Sequence, residues 1–156
     1  MLRTTIASPL GTILITANTD AITSIWFVDD SKGESNTSPI LDAAAVQLQE
    51  YFAGERKTFD LPLAPEGTKF QKQVWNALLT IPYGKTVSYL DVSRMIGNKK
   101  AIRAVGLANG KNPISIVVPC HRVIGSDGSL TGYGGGLWRK ECLLRHERKD
   151  QDLTLL

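Results

Sequence analysis

The sequence predicts an α+β fold in which a small N-terminal antiparallel-sheet domain precedes a mainly helical C-terminal domain with a helix-turn-helix of winged-helix type. Short apolar-polar segments of strand length fill the beginning of the chain. Helix-capping patterns recur after residue 67. Net charge also changes sign there: residues 1–66 carry four Lys/Arg and nine Asp/Glu, or −5, whereas residues 67–156 carry fourteen and six, or +8. The basic half is predicted to meet a polyanion, of which nucleic acid is the commonest in cells.

The N-terminal elements follow from turn and capping chemistry. Three short strands, separated by turn-forming residues, are predicted to form an antiparallel meander over residues 3–7, 11–17 and 22–28. Ser38 and Pro39 are typical of a helix start, an apolar stripe runs on to Phe52, and Gly54 suits the helix end.

A domain boundary is predicted where the charge changes sign. Residues 57–63 are expected to be extended, and Ala64-Pro65-Glu66-Gly67 has the composition of a linker. The predicted domains are therefore 1–63, a linker at 64–67, and 68–156.

The C-terminal half begins with three predicted helices. Thr68 and Gln71 have capping-box spacing, and the first helix ends before Ile81-Pro82. Ser88 caps a second helix over residues 89–96, and a short turn at 97–100 leads into a third at about 101–108. This spacing predicts a helix-turn-helix with the third helix as reader, although two packed core helices would give the same pattern.

A thiol and an imidazole stand side by side in Pro119-Cys120-His121-Arg122. The apolar run Ile114-Ser115-Ile116-Val117-Val118 before them is predicted to be a buried strand that Pro119 ends. Cys120 is a candidate nucleophile, since a neighbouring base or positive charge can raise its thiolate fraction. A structural core cysteine is the alternative.

Composition indicates the class of protein and the cellular compartment in which it is expected. With 42% hydrophobic and 21% charged residues, the chain has the profile of an ordinary soluble protein. Neither a signal-peptide core nor a segment of membrane-spanning length is recognisable, so we expect a cytoplasmic protein, associated with the nucleoid in a bacterium or nuclear in a eukaryote, without a membrane partner. Its two cysteines are expected to be reduced.

Several motifs together resemble the O6-alkylguanine-DNA alkyltransferase family. They are Ile81-Pro82-Tyr83-Gly84, Ser88-Tyr89, Arg103-Ala104-Val105-Gly106, Asn109-Gly110-Lys111-Asn112-Pro113, Val118-Pro119-Cys120-His121-Arg122-Val123-Ile124, Thr131-Gly132-Tyr133-Gly134-Gly135-Gly136 and Leu143-Leu144-Arg145-His146-Glu147. The resemblance covers the whole C-terminal domain, and the N-terminal part agrees in length and order.

This resemblance implies direct-reversal DNA repair, in which an alkyl group passes once and irreversibly from O6 of guanine to Cys120. It makes His121 the base that draws off the thiol proton through a water, and Glu147 the carboxylate that orients the imidazole. Tyr89 would donate a proton to guanine N3, and Asn112 would tie the reader helix to the site.

The resemblance also implies how DNA is held. The reader helix would bind double-stranded DNA in the minor groove, with Arg103 filling the gap left by a flipped guanine. The other expected DNA contacts are Lys99, Lys100, Ala101, Ala104 and Tyr89, and Ala108 is expected to help keep the helix thin. The base pocket would use the carbonyls of Cys120 and Val123, the amide of Gly134, a stacking wall from Tyr133, and Ser115 beside the base.

Two positions at which this sequence differs from some members of the family lead to further expectations about metal binding and substrate range. Some relatives bind zinc in the N-terminal domain, but no Cys or His precedes Cys120, so neither a metal nor a cofactor is expected. Ser115 replaces a proline found in certain relatives, which predicts tolerance of larger adducts or of O4-alkylthymine. A monomer in solution is expected.

Three other readings stay open on the sequence alone. Cys120, His121, Cys142 and His146 could form a zinc site. A cysteine hydrolase would use the same Cys-His-Glu arrangement. A lesion sensor or DNA-binding regulator without catalytic activity would need only the helix-turn-helix.

Overall fold

The computed structural model describes residues 1–29 and 33–148. Two compact units emerge from the packing. The first comprises Met1–Glu66 together with Pro113–Ser115, and the second comprises Gly67–Asn112 and the residues from Ile116 onward. Within the described residues, no helix is long and apolar enough to cross a membrane.

The first unit is built on a three-stranded antiparallel sheet in the order β1-β2-β3. Its strands are β1 (Leu2–Ile6), β2 (Thr12–Ala17) and β3 (Ile22–Val28). The central strand contributes Ile13 and Ile15 to the core, both fully buried. The predicted antiparallel meander is therefore confirmed.

Helix α1 (Pro39–Phe52) completes the first unit's core. Ser38 Oγ accepts the Leu41 amide at 3.1 Å, and Pro39 occupies the first turn, as the sequence predicts. Leu41, Ala44, Leu48 and Tyr51 are buried at the spacing of one helix face.

The outer edge of β3 pairs with two segments distant in sequence. Ile22 bridges Leu63 and Ile25 bridges Ile114, both in parallel orientation. The prediction of an extended segment over 57–63 is supported by strand pairing only at its end: a single bridge forms at Leu63, while residues 57 and 58 form a bend and 59–62 belong to no regular element.

Three helices open the second unit: α2 (Lys69–Leu78), α3 (Tyr89–Met95) and α4 (Ile102–Gly110). Capping boxes begin α2 at Thr68 and α3 at Ser88, the latter with Asp91 as its reciprocal partner. The turn between α3 and α4 contains Gly97, whose φ of 75° favours glycine. These helices form the predicted helix-turn-helix.

The predicted strand over Ile114–Val118 is wrong. Only Ile114 pairs with a strand, and the chain then turns, with Ile116 at the positive φ of 71° that a β-branched side chain rarely adopts. Ile114, Ile116, Val117 and Val118 are nevertheless buried. A buried irregular segment and a buried core strand both give a continuous run of apolar residues, so hydrophobic periodicity cannot distinguish them.

Two further elements complete the second unit. A one-turn 3₁₀ helix at Cys120–Arg122 leads into β5 (Val123–Ile124), which pairs in parallel with β4 (Val87–Ser88). Helix α5 (Leu137–Arg148) follows. Its buried residues are Lys140, Leu143, Leu144 and Glu147, so this helix turns two charged side chains inward together with two leucines.

Candidate active site

Cys120 is held at a sharp change of backbone direction. Pro119 has φ −83° and ψ 62°, and the Cys120 amide donates to the Val118 carbonyl at 2.8 Å, which together make an inverse γ-turn. Asn112 Nδ2 donates to the same carbonyl, also at 2.8 Å. Val118 is thus fixed from two sides, and the thiol that follows is 5% exposed.

Burial raises the pKa of the Cys120 thiol above its ordinary value, because a thiolate is poorly solvated there. Four influences oppose that rise and lower the pKa: a hydrogen bond from Asn112, the positive charge of Lys140, and the backbone amides of Cys120 and His121. The thiol is therefore protonated at rest, in surroundings that favour its anion once the proton is removed.

The imidazole of His121 is fully buried and bonded on one side only. Its Nε2 lies 2.7 Å from Glu147 Oε2, while Nδ1 is buried without a hydrogen-bond partner among the described residues. An ionised carboxylate can only accept, so Nε2 carries the proton and Nδ1 is left as a base.

Arg122 shares the carboxylate with His121. Its Nε donates to Glu147 Oε1 at 2.8 Å, Nη2 to Oε2 at 3.1 Å, and Nη1 to the Ile81 carbonyl at 2.7 Å. Its guanidinium also lies 5.7 Å from the ring centroid of Tyr83. Because this bidentate pair already neutralises the Glu147 carboxylate, His121 can stay uncharged at rest.

The pKa shifts agree with this division of charge. Burial lowers the pKa of His121, and the hydrogen bond and charge of Glu147 only partly restore it. Burial by itself would raise the pKa of Glu147, but its bonds and charge interactions with His121 and Arg122 outweigh that and bring it far below the ordinary range. The resting state is therefore a neutral imidazole beside an ionised carboxylate.

A second group of side chains surrounds the glycine-rich segment 131–136. The Tyr89 hydroxyl lies 2.8 Å from Thr131 Oγ1. Tyr133 is half-buried, and Gly134 is exposed, with enough room that an added Cβ would meet nothing nearer than the Gly110 carbonyl at 3.9 Å. The open space at Gly134 leaves its backbone accessible to a ligand.

The two carbonyls expected to bind the base differ in their partners. The Cys120 carbonyl accepts the Val123 amide and, at 3.4 Å, Asn109 Nδ2. The Val123 carbonyl accepts Lys140 Nζ at 2.6 Å. A carbonyl oxygen has two lone pairs, so the Val123 oxygen keeps one for a donor on a ligand.

The predicted DNA-contacting residues lie on and before α4. Lys99, Lys100, Arg103 and Ala104 are exposed and Ala101 is half-buried. Ala108 faces inward instead: it is 3% exposed, and its carbonyl accepts Trp75 Nε1 at 2.8 Å. Its expected place on the thin outer face of the helix is therefore wrong, because this turn of α4 packs on α2.

Ser115 belongs to the first unit, where its amide donates to the Ile25 carbonyl at 2.9 Å. Its place beside the base pocket stays a prediction.

The alternative zinc site is not assembled. Across residues 1–29 and 33–148, no group of three or more His, Cys, Asp or Glu side chains is arranged to hold a metal ion. Instead, His121 is committed to Glu147 by a hydrogen bond.

Comparison with known proteins finds matches over both units. Residues 69–149 match the family model described as 6-O-methylguanine DNA methyltransferase, DNA binding domain, and residues 1–65 match that of the same family's ribonuclease-like domain. The chain belongs to the 6-O-methylguanine DNA methyltransferase family.

Curated relatives cover nearly the whole length. A methylated-DNA–protein-cysteine methyltransferase from Methanosarcina acetivorans is 51% identical over an alignment of 146 residues, and the match covers 90% of this chain and 94% of the relative. One of the same name from Mycolicibacterium paratuberculosis is 50% identical, over 97% of this chain and 94% of the relative.

Solved structures of this family superpose closely. The O6-methylguanine methyltransferase of Mycobacterium tuberculosis has a TM-score of 0.87 at 46% identity, covering 99% of this chain and 98% of its own. The OGT of the same organism in complex with DNA has a TM-score of 0.88 at 46% identity, covering 96% and 94%. The α+β fold expected for the family is confirmed.

Sequence reasoning assigned no role to Lys140 or Asn109. Lys140 is fully buried and bonded to two backbone carbonyls, and Asn109 is 2% exposed beside Cys120. A signal for Lys140 was present: Lys140, Leu143, Leu144 and Glu147 have the spacing of one helix face. Charged residues in such a stripe indicate that the helix carries polar groups into the core.

Proposed function

We propose that this protein repairs DNA by direct reversal, transferring an alkyl group from O6 of guanine to Sγ of Cys120 in a single, irreversible turnover. The observation that carries the proposal is the buried arrangement of Cys120, His121 and Glu147, in which the histidine presents a free Nδ1. Membership of the family supports the reaction class, and the geometry supports the residues.

The reaction balances without an added reactant. His121 Nδ1 takes the thiol proton, directly or through a water, and the Cys120 thiolate attacks the alkyl carbon. The sulfur–carbon bond forms as the carbon–O6 bond breaks, and the bonding pair leaves with the guanine. Tyr89 donates its hydroxyl proton to N3 of the departing base, and the proton taken from the thiol replaces it. The products are a thioether and a guanine protonated at N3, which becomes ordinary guanine when that proton is exchanged for one at N1.

Glu147 and Arg122 keep His121 ready for this role. An imidazole that was already charged could not accept the thiol proton, and Arg122 prevents this by neutralising Glu147 at rest. When the proton arrives, the imidazolium forms against a carboxylate 2.7 Å away. Glu147 therefore orients the base and stabilises its charged form.

Asn112 acts on both the backbone and the thiol. It fixes the Val118 carbonyl before the γ-turn and lowers the pKa of Cys120 through a hydrogen bond. It follows α4 closely in the chain, so it ties that helix to the nucleophile.

DNA is the partner, and we place it on the outer face of α4, in the minor groove. Exposed Lys99, Lys100 and Arg103 supply positive charge, and Ala101 and Ala104 leave room for close approach. Arg103 would enter the base stack when the guanine flips out. The protein would act as a monomer.

The flipped base would lie between β5 and the glycine-rich segment. The Val123 carbonyl would accept its exocyclic amine, and the amide of Gly134 would bond to O6. The Cys120 carbonyl, which already accepts the Val123 amide and Asn109, would serve as a second acceptor in exchange for its 3.4 Å bond from Asn109 Nδ2. Tyr133 would stack on the ring. Ser115 would leave room for larger adducts or O4-alkylthymine. Equal rates of benzyl and methyl transfer from O6 of guanine would support this proposal, and an inert O6-benzylguanine would contradict it.

A single-turnover assay tests the reaction. Duplex DNA with one O6-methylguanine is mixed with excess protein, and mass spectrometry then locates the methyl group. We expect one methyl per protein on the peptide that holds Cys120, none in Cys120→Ser, and normal transfer in the matched control Cys142→Ser. An unmodified Cys120 despite tight binding to the lesion would identify a sensor or regulator instead.

A second assay tests the DNA face. Arg103→Ala should slow transfer from duplex DNA while leaving reaction with the free base O6-benzylguanine unchanged, since only duplex DNA needs its gap filled. Binding should depend strongly on salt and little on sequence, because phosphate contacts dominate. An equal loss of transfer rate on both substrates would show that Arg103 supports the structure of the site rather than a contact with DNA.

A further inference from the structure

Asn109 is a buried amide that is held by one long hydrogen bond. It is 2% exposed, and its Nδ2 donates to the Cys120 carbonyl at 3.4 Å, which is longer than usual for such a bond. Its Oδ1 is buried without a hydrogen-bond partner among the described residues. Turning the amide over would set Oδ1 against the carbonyl, with one acceptor facing another, so the donor stays on this side. The amide is therefore fixed in orientation but weakly bonded.

This bond fills the last lone pair of the Cys120 carbonyl. A carbonyl oxygen has two lone pairs, and the other one accepts the Val123 amide. The Val123 carbonyl, in contrast, accepts Lys140 Nζ and keeps its second lone pair for a ligand. The exocyclic amine of a flipped guanine would therefore meet an open acceptor at Val123 and an occupied one at Cys120.

An occupied acceptor changes what the exocyclic amine contributes to binding. When the amine takes the Cys120 carbonyl from Asn109, one N–H···O bond replaces another, so the net gain at that atom is small. A base without the amine, such as O6-alkylhypoxanthine or O4-alkylthymine, leaves Asn109 in place and the carbonyl paired. If Asn109 were absent, the same base would bury an unpaired lone pair, which is unfavourable.

We propose that Asn109 is a specificity-determining residue, which acts as a substitute donor for the Cys120 carbonyl and so lets the base pocket accept alkylated bases that lack an exocyclic amine. This inference rests on the proposed function, because it concerns which bases the same pocket takes. It is separate from the effect expected of Ser115, which concerns the space for the adduct, since Asn109 acts through hydrogen bonding.

The first test compares transfer from two duplexes whose lesions differ by one amine. Each protein reacts in single turnover, at subsaturating DNA, with O6-methylguanine or O6-methylhypoxanthine, and the ratio of the two rates measures its preference for the amine. The cost of unpairing each lesion belongs to the duplex, so it cancels when the ratio of a variant is divided by that of the wild type. Asn109→Leu should raise the preference by up to about tenfold, the contribution of one neutral hydrogen bond.

O4-Methylthymine, a second base without the amine, should behave like hypoxanthine. In Asn109→Leu its transfer rate should fall relative to that of O6-methylguanine by a similar factor. Asn76→Leu, which removes an exposed amide of α2, is the matched control and should keep the wild-type ratios. If Asn109 only supported the structure of the site, its loss would slow all three substrates equally, and that result would overturn the inference.

Binding measurements separate this inference from the proposed function. Dissociation constants of Cys120→Ser, with and without Asn109→Leu, for the two duplexes give the preference for the amine even if the wild type transfers nothing. No transfer by the wild type would end the proposed function alone. A weaker preference for the amine in Asn109→Leu would overturn the inference, because Asn109 Oδ1 would then bind the amine itself. If circular dichroism shows that Asn109→Leu does not fold, Asn109→Ala is measured instead, with the same expected ratios.

Discussion

The two units of the protein bury different kinds of polar group. In the first unit, none of the buried side chains among the described residues is charged, and the buried hydroxyls of Thr16 and Ser24 bond to each other. In the second unit they include a histidine, an arginine, a lysine and a glutamate. Burying charge costs several kcal/mol per ion unless it is paired.

The first unit is therefore held together mainly by apolar packing, whereas the second also buries charged groups that surround the proposed nucleophile. All four buried ionisable side chains lie at or next to the turn of Cys120, by bond or by charge. An apolar core of equal size would be no less stable, since buried ion pairs seldom add net stability. Among the described residues only the second unit buries such groups, which is the distribution expected if the proposed reaction, rather than the fold, requires them.

The largest expected effect follows from breaking the charged cluster. Glu147→Ala leaves Arg122 and His121 without their shared acceptor and should lower the free energy of unfolding by about 3–5 kcal/mol. It should also abolish alkyl transfer. Urea denaturation and the single-turnover assay measure the two effects. A loss below about 1 kcal/mol, the range of an exposed pair, would show that the cluster is hydrated in solution.

Acid should act on the second unit through the same carboxylate. The pKa of Glu147 is far below its unfolded value of 4.5, so the unfolded chain binds more protons and stability falls as pH drops below 4.5. The slope should be about 1.4 kcal/mol per pH unit for this one group. Glu147→Gln should lack that part of the slope. Identical acid profiles for the two proteins, from urea midpoints between pH 3 and 5, would contradict it.

Alkylation should destabilise the second unit to a smaller extent. Cys120 is 5% exposed, and an added methyl group must enter a packed site, which typically costs about 1–3 kcal/mol. The melting temperature after complete reaction with O6-methylguanine DNA should therefore be lower than before. An unchanged melting curve would show that the pocket already has room for the methyl group.

The smallest effect is expected in the first unit. Ser24→Ala removes one hydroxyl, but Thr16 Oγ1 keeps its hydrogen bond with Thr23 Oγ1 at 2.8 Å. The loss should be about 1 kcal/mol or less, with no change in transfer. A larger loss of stability, or slower alkyl transfer, would mean that the buried hydroxyls of the first unit matter as much as the buried charges of the second.

The parts of the fold that the sequence predicted are those with local signals. Ser38, Thr68 and Ser88 each cap a helix through bonds to residues three positions away, and such bonds form wherever the segment lies. The antiparallel strands were recognisable for the same reason, since each is bounded by turn residues.

The parts that failed depend on distant partners. Residues 57–63 were predicted to be extended, yet among the described pairings only Leu63 has a strand beside it. The run Ile114–Val118 is apolar because it is buried, and neither its positive φ at Ile116 nor its turn is marked by a glycine. Ala108 was taken for an outward residue because nothing in the sequence announces the Trp75 bond to its carbonyl.

The candidate site was predictable where family motifs mark it and not elsewhere. Cys120, His121 and Glu147 were named from the sequence, and the structure brings His121 and Glu147 into contact. The charge balance among Arg122, Lys140 and Cys120 depends on burial and distance, which no motif encodes. Lys140 is the clearest case, because a lysine in a helix is usually at the surface.

The pairing of Ile25 with Ile114 bears on how the chain folds during synthesis. At Ile25, the hydrogen bonds at the outer edge of β3 come from Pro113 and Ser115, which a ribosome makes long after β3 itself, whereas the Ile22 end of that edge pairs with the nearer Leu63 segment. Until residues 113–115 are made, the Ile25 part of the edge is uncovered, and exposed edges favour pairing with other chains. The N-terminal region cut at the linker would keep that part of the edge open permanently, so it should be less soluble as an isolated fragment than its apolar core suggests.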